Sequence, residues 1–440
     1  MDYRVIADRV AADIAAGRLR PGTRLPTQRR FARDHRIAAS TAARVYGELV
    51  RRGLATGEVG RGTFVRAGQP APEPALAEPA AARVDLELNF PLLTEQPALL
   101  AASLTPLLRP DVLAGALRPV TVRGTVAARQ AATDLLARNG WRPEPERILF
   151  AGNGRQAIAA AIGALVSVGQ RLGVEELTYP VVKGVAARLG VTLVPLAMDE
   201  HGVTPSALRA ARPTAVYLQP TLHNPLGVTM PAQRRAAVAE VLTELDIPAI
   251  EDGIYAFLHD EHPPLATLAP DHVVLVDSLS KRVAPGLSLG FAVPPPALGD
   301  AVAGALRSGG WTAQRFALDA ATHVMADGTA ARIQEAKRAD AAARQRVVAD
   351  RLSGFSVQAD PRAYHCWWEL PDPWRAETFV AAAARHDIAV TPAAAFAVTP
   401  GHAPNAVRLA VSAPSAETLP VALDTLARLA RSTPEDAAVD

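Results

Sequence analysis

Apolar and polar positions follow two rhythms along this chain, and the first is helical. Ile6, Val10 and Ile14 fall on one helix face, and Gly17 with Pro21-Gly22 predicts where that helix stops. Thr27 predicts an N-cap for a helix over 28–35, and Ile37 sits in the turn that follows. Ser40 is expected to cap a longer helix reaching Arg52, with Val45, Leu49 and Leu54 as its apolar stripe. From Leu54 to Val65 the pattern shortens to two strand-like runs around Gly57, Gly60 and Gly62, which reads as a hairpin. Three helices and a two-stranded wing make a winged helix-turn-helix, here assigned to residues 1–66.

The second rhythm begins at Val84. Short β-branched runs at 147–151, 191–195, 215–219, 249–251 and 273–277 predict strands. Helical stretches alternate with them at 156–166, 181–189, 231–245 and 299–307. That order predicts α/β packing around a mostly parallel sheet over residues 84–432, with ligands at the carboxyl ends of its strands. Between the two rhythms, residues 67–83 hold four prolines within thirteen positions (Gly68 to Ala80) and predict an extended, semi-rigid linker. The residues from Ser432 to Asp440 look frayed and polar.

Composition narrows the class. The chain has 440 residues, 49% apolar, with a mean hydropathy of +0.09, enough for two or three domains with large cores. No apolar run reaches membrane-spanning length, and Met-Asp-Tyr-Arg lacks a secretory apolar core, so a soluble cytoplasmic protein without membrane attachment is expected. The single cysteine, Cys366, excludes an internal disulfide and a cysteine-based metal cluster, and no metal site is expected. The net charge of +2 is unevenly spread: residues 1–66 carry +8 and the remainder −6. A basic module on an acidic body points to an anionic partner for the first part, with nucleic acid the leading candidate.

The candidate chemistry centres on Lys281, in Asp277-Ser-Leu-Ser-Lys281. It is one of three lysines, with Lys183 and Lys337, beside 43 arginines. Arg stays protonated, whereas a lysine amine can lose its proton and attack a carbonyl. Gly152-Asn-Gly-Arg-Gln156 joins a strand to a helix and could hold a phosphate on backbone N–H groups, although such turns are common. Asp252 could face a ring nitrogen or cap a helix, and Asn224 could be turn chemistry. Ser278 and Ser280 offer hydroxyls beside the lysine.

Two resemblances rest on these residues. Gly17-Arg-Leu-Arg-Pro-Gly-Thr-Arg-Leu-Pro26 and Gly60-Arg-Gly-Thr-Phe-Val65 resemble the start and the wing of GntR-type DNA-binding domains. The resemblance implies double-stranded promoter DNA as partner, met by Arg24, Thr27, Gln28, Arg29, Ser40, Thr41, Arg44, Arg61 and Gly62. Ala38-Ala39 departs from the family's usual Ser-Arg.

Thr178-Tyr-Pro180, Tyr217 to Pro225, Glu251-Asp-Gly-Ile-Tyr255 and Ser278-Leu-Ser-Lys281 resemble the fold-type I aminotransferases that use pyridoxal phosphate (PLP). That implies an α/β domain with a smaller C-terminal α+β subdomain. It also implies that Lys281 forms an aldimine with PLP and that Asp252 pairs with the ring nitrogen. Asn224 and Tyr255 would bond the phenolic oxygen, Tyr179 would stack on the ring, and Ser278, Ser280, Gly154 and Arg155 would hold the phosphate. Arg408 would clamp an α-carboxylate. Three positions depart from the family: Ser288 stands where an arginine usually grips the phosphate, Leu226 replaces Thr, and Pro119 replaces a Tyr. Arg155 is a candidate for the missing charge.

A GntR-type module, a Pro/Ala linker and an aminotransferase-like domain, in that order, resemble the MocR-type transcriptional regulators. Such a protein is expected to be a homodimer that senses PLP or an amino-group ligand. The competing readings are a working aminotransferase with an accessory DNA-binding module, and a cofactor-free domain binding an amino acid or a protein.

Overall fold

The computed structural model describes residues 3–15, 18–19, 23–51, 54–58, 62–65, 82–259, 261–399 and 401–434. The chain divides into two compact units, each described on its own.

The first unit has helices α1 (Tyr3–Ala15), α2 (Gln28–Asp34) and α3 (Ala39–Arg51), then strands β1 (Ala55–Glu58) and β2 (Gly62–Val65). Ile6, Val10, Val45 and Leu49 lie in its buried core, as the helical spacing predicts, and Phe31 of α2 joins them. Thr27 caps α2, its Oγ1 accepting from the Arg30 N–H at 3.4 Å. Ser40 does not cap α3. The helix begins one residue earlier, and the Ala42 N–H already bonds the Ala38 carbonyl at 3.0 Å, which places Ser40 inside the first turn. The hairpin pairs antiparallel from Ala55↔Val65 to Glu58↔Gly62. Gly17, Pro21, Gly22, Gly60 and Arg61 lie outside the described residues, as does 67–81 of the expected linker.

In the second unit the chain enters through β3 (Val84–Leu86) and builds β4 (Leu149–Ala151), β5 (Arg171–Glu175) and β6 (Thr192–Leu196). A small hairpin follows, β7 (Met198–Asp199) with β8 (Gly202–Val203). Next come β9 (Ala215–Leu218), β10 (Ala249–Asp252), β11 (Val273–Ser278) and β12 (Gly290–Val293). Seven of these strands form one sheet in the order β4-β12-β11-β10-β9-β5-β6. The pairs from β11 through β6 are parallel, while β12 is antiparallel to both β11 and β4. Both faces are covered: Val216, Leu218 and Leu275 pack in one cluster, and Tyr217, Ile250, Val274 and Val276 in the other.

Two strands of this seven-stranded sheet escaped the sequence reading, and each holds a glycine. In β5, a Cβ at Gly173 would lie 2.9 Å from Pro213 and 3.0 Å from Val216, so the residue that looks like a breaker permits close packing. In β12, a Cβ at Gly290 would lie 2.2 Å from the Asn153 carbonyl, beneath the start of the Gly154–Leu165 helix.

The smaller subdomain is α+β, with β13 (Ser356–Gln358), β14 (His365–Glu369), β15 (Ile388–Pro392) and β16 (Ala406–Ala410). The sheet order is β13-β14-β16-β15-β3, so the entering segment at Val84 completes the C-terminal sheet. Trp368, Trp374 and Phe379 anchor its core. Ser432, the first residue of the tail expected to fray, is held by the Trp374 indole, which donates to its carbonyl at 2.8 Å, and residues 435–440 lie outside the described residues. Among the described residues no helix is long and apolar enough to cross a membrane.

Candidate functional site

Strands β9, β10 and β11 all end at one cavity of about 390 Å³ in the second unit. Lys281, Asp252, Tyr255, Asn224, Tyr179, Ser278, Ser280, Gly154, Arg155 and Arg408 all line it. These residues span more than 250 positions of sequence; the parallel sheet gathers most of them at its carboxyl ends, and the smaller subdomain supplies Arg408.

Lys281 sits in the short helix Leu279–Arg282, immediately after β11. Its Nζ donates to the Asn89 carbonyl and lies 3.5 Å from the centroid of the Phe90 ring. Burial pushes its amine far below the ordinary lysine value, and the charges of Arg155, Arg408 and Lys337 push it further against the opposing pull of Asp252. The amine is therefore biased towards its neutral, nucleophilic form. The helix is held from behind. Arg282 pairs with the buried Asp277 at 2.6 Å and reaches Gln334 at 2.7 Å, while Lys337 donates to the Lys281 carbonyl at 2.8 Å.

Asp252, at the end of β10, is 4% exposed and accepts three hydrogen bonds. Tyr217 Oη donates at 2.5 Å, the Ile254 N–H at 3.0 Å and Gln219 Nε2 at 3.2 Å. Burial pushes the carboxyl up to about 6 with help from Asp277, and those three donors oppose the shift. The result is a buried carboxylate held in a fixed position by three neutral donors.

At the opposite pole, three hydroxyls form a chain. Ser278 Oγ lies 3.0 Å from Ser280 Oγ, and Ser280 Oγ lies 2.6 Å from Ser288 Oγ. The start of the Gly154–Leu165 helix presses against them, since a Cβ on Gly154 would sit 3.0 Å from Ser278 Oγ. Asn153 caps that helix through the Gln156 N–H at 3.0 Å. Arg155 follows and hydrogen-bonds the Tyr179 phenol, which is itself held protonated by burial.

Arg408 comes from β16 of the smaller subdomain and is 6% exposed. Its Nη1 donates to Asn224 Oδ1 at 3.3 Å and its Nη2 to Thr391 Oγ1 at 3.0 Å and to the Glu87 carbonyl. Its Nε has no hydrogen-bond partner, and neither has Asn89 Oδ1, another buried atom of the cavity lining. Asn89 Nδ2 bonds Tyr255 Oη at 2.9 Å. His365 beside it is pushed down to about 3 by burial and so stays neutral.

Sequence reasoning missed Asn89, Phe90, Tyr217 and Gln219. Tyr217 and Gln219 were within reach: they are two apart at the end of β9, and residues two apart share a strand face. Asn89 and Phe90 lie in an irregular segment that carries no pattern.

In the first unit, Arg24, Thr27, Gln28, Arg29, Ser40 and Arg44 are exposed and Thr41 is half-buried, while Gly62 opens β2. Arg61 belongs to the residues not described.

Two family models match the chain: bacterial regulatory proteins of the gntR family over residues 2–65, and aminotransferase class I and II over residues 116–426. YdeF of Bacillus subtilis, an uncharacterized HTH-type transcriptional regulator, is 29% identical over 425 residues, covering 94% of this chain and 90% of that one. PdxR of Corynebacterium glutamicum, an HTH-type pyridoxine biosynthesis transcriptional regulator, is 25% identical over 306 residues, 66% of this chain and 65% of that protein. Among solved structures, an archaeal alanine:glyoxylate aminotransferase shares the fold with a TM-score of 0.72 at 21% identity, over 79% of this chain and 90% of its own.

Proposed function

Since the chain belongs to the class I and II aminotransferase family and carries a gntR-family module ahead of it, we propose that it is a DNA-binding transcriptional regulator whose larger domain binds PLP and senses PLP or an amino-group ligand. The observation that carries this reading is the cavity itself. A deprotonation-prone amine (Lys281), a buried carboxylate (Asp252), a hydroxyl pole and a carboxylate-sized arginine (Arg408) converge in it, in a chain that starts with a basic module. The relatives YdeF and PdxR are both named HTH-type transcriptional regulators, and the match to this chain covers 90% and 65% of their lengths.

The residues fit PLP by their chemistry. Lys281 offers the amine for an aldehyde, and Asp252 offers a fixed anion for a protonated ring nitrogen. The serine pole with Gly154 and Arg155 suits a phosphate, Tyr255 and Asn224 suit a phenolic oxygen, and Tyr179 can cover the ring face. PLP, when bound, supplies an electron sink for bonds at an amine-bearing carbon. Arg408 can take a ligand carboxylate on its planar fork and is already oriented by Asn224 and Thr391. Three donors favour the ionised form of Asp252, which would favour a protonated ring nitrogen on a bound cofactor.

The domains are proposed as residues 1–66 for DNA, 67–83 as linker and 84–432 as effector domain, acting as a homodimer on double-stranded promoter DNA. Arg24, Thr27, Gln28, Arg29, Ser40, Thr41, Arg44, Arg61 and Gly62 are assigned to that DNA contact, mostly to phosphates. A ligand changes DNA affinity only by binding two conformations unequally.

The test is DNA binding to the chain's own upstream region, with and without PLP and a panel of amino acids. Affinity should change with PLP or an amino acid in the wild type and not in Lys281→Ala. An affinity indifferent to all of them sinks the sensor reading. The presence of Lys281, Asp252 and Arg408 in one cavity favours a second reading, a working aminotransferase. Multiple turnovers of an amino donor with a keto acid would establish it.

A further inference from the structure

We infer that Arg155 selects a phosphate monoester at the serine pole of this cavity, so that the cation for the phosphate comes from the Gly154–Leu165 helix and not from position 288. The inference rests on the reading of the cavity as a PLP site and concerns which residue neutralises the phosphate there.

A phosphate monoester carries close to two negative charges at neutral pH. The three hydroxyls of Ser278, Ser280 and Ser288 give hydrogen bonds and no charge. The cations lining the cavity, among the described residues, are Lys281, Arg408 and Arg155. Lys281 is the attachment amine and is biased towards neutrality. Arg408 is engaged with Asn224, Thr391 and the Glu87 carbonyl, on the smaller subdomain's side. Of the two arginines, Arg155 is the one next to the hydroxyl chain, through Gly154, whose missing side chain lets the helix start approach Ser278. The Tyr179 phenol that Arg155 bonds is neutral and so supplies no counter-charge. Ser288 Oγ bonds Ser280 Oγ, so position 288 faces the same pole and a longer cationic side chain placed there could reach the same anion.

The experiment is an equilibrium absorbance titration with two probes, PLP and pyridoxal, which share ring and aldehyde and differ in the phosphate. The proteins are the full chain and its Arg155→Ala, Arg155→Lys and Arg155→Ala/Ser288→Arg variants. The wild type should prefer PLP. Arg155→Ala should lose about 10- to 100-fold in PLP affinity with pyridoxal affinity nearly unchanged. Arg155→Lys should keep part of the preference, and the double variant should regain it. An unchanged PLP-to-pyridoxal ratio in Arg155→Ala overturns the inference. So does an equal loss for both probes, because Arg155 would then act through Tyr179 or through folding. Failure of the wild type to bind either probe overturns the PLP reading itself, and that outcome is distinct from both.

Discussion

Removing one hydroxyl behind Asp252 should make cofactor affinity depend more steeply on pH. Tyr217 is fully buried and its phenol donates to Asp252 Oδ2 at 2.5 Å. A hydrogen bond to a charged acceptor is worth about 1.5–3 kcal/mol, or about 1–2 pKa units. Burial already holds the Asp252 carboxyl at about 6. In Tyr217→Phe it should rise to about 7.5, since the donor that favoured the anion is gone. Only the ionised carboxylate pairs with a protonated ring nitrogen. At pH 6.5 the ionised fraction should fall from about three quarters to about one tenth, a loss of roughly eightfold in apparent affinity. At pH 9 both proteins are ionised and the loss should vanish. Absorbance titration of PLP into the two proteins at both pH values measures this directly. An equal penalty at pH 6.5 and 9 would show that Tyr217 acts by packing and refute the electrostatic argument.

Two other perturbations have equally definite outcomes. Lys337 is 0% exposed and burial pushes its amine down to about 7, below its unfolded value, so between pH 7 and about 10 the unfolded chain holds the extra proton and stability rises with pH. The stability of the wild type relative to Lys337→Met, from urea unfolding, should therefore rise by about 3 kcal/mol from pH 7 to pH 10, and a constant difference would remove the buried amine from the account. Arg408→Lys keeps the charge and loses the planar fork, so amino acids should perturb the bound cofactor's absorbance only at about 10- to 100-fold higher concentration while PLP still binds. Unchanged amino acid affinity would mean that the carboxylate is held elsewhere.

The architecture was legible wherever residue spacing alone decides the outcome. The three N-terminal helices, the hairpin and five of the seven large-sheet strands lie within a few residues of where apolar periodicity puts them. The two exceptions within that sheet share one physical cause. Gly173 and Gly290 are strand residues because neighbouring atoms leave no room for a side chain, and that crowding is a tertiary fact. Ser40 shows the reverse error, because a good capping residue was taken for the cap when the backbone bond from Ala42 to Ala38 had already begun the helix. In the cavity, the motif residues were found and their supports were not. Tyr217 reads as one more apolar strand residue in sequence, yet its hydroxyl points at Asp252. Asn89 approaches Lys281 only because β3 crosses to the C-terminal sheet, a pairing of Val84–Leu86 with Ile388–Val390 that no local pattern encodes.

The scarcity of lysine acquires a different meaning in three dimensions. Lys337 donates to the carbonyls of Lys281 and Val283, and Lys183 donates to those of Ala395 and Ala397, each at 2.9 Å. An ammonium is compact and can aim separate donors at two converging carbonyls, whereas the planar fork of a guanidinium needs acceptors arranged side by side. All three lysines thus occupy sites that an arginine would serve badly, and rarity alone could not have singled out Lys281. What sets it apart is position. Lys337 and Lys183 spend their donors on backbone that frames the cavity, behind Lys281 on one side and at the Ala395–Phe396 loop on the other. Lys281 alone projects its amine into that cavity, against the Phe90 ring, in a field that disfavours its protonation. The two clamping lysines keep in place the walls between which the third can react, so their loss should disturb the orientation of Lys281 before it disturbs the fold.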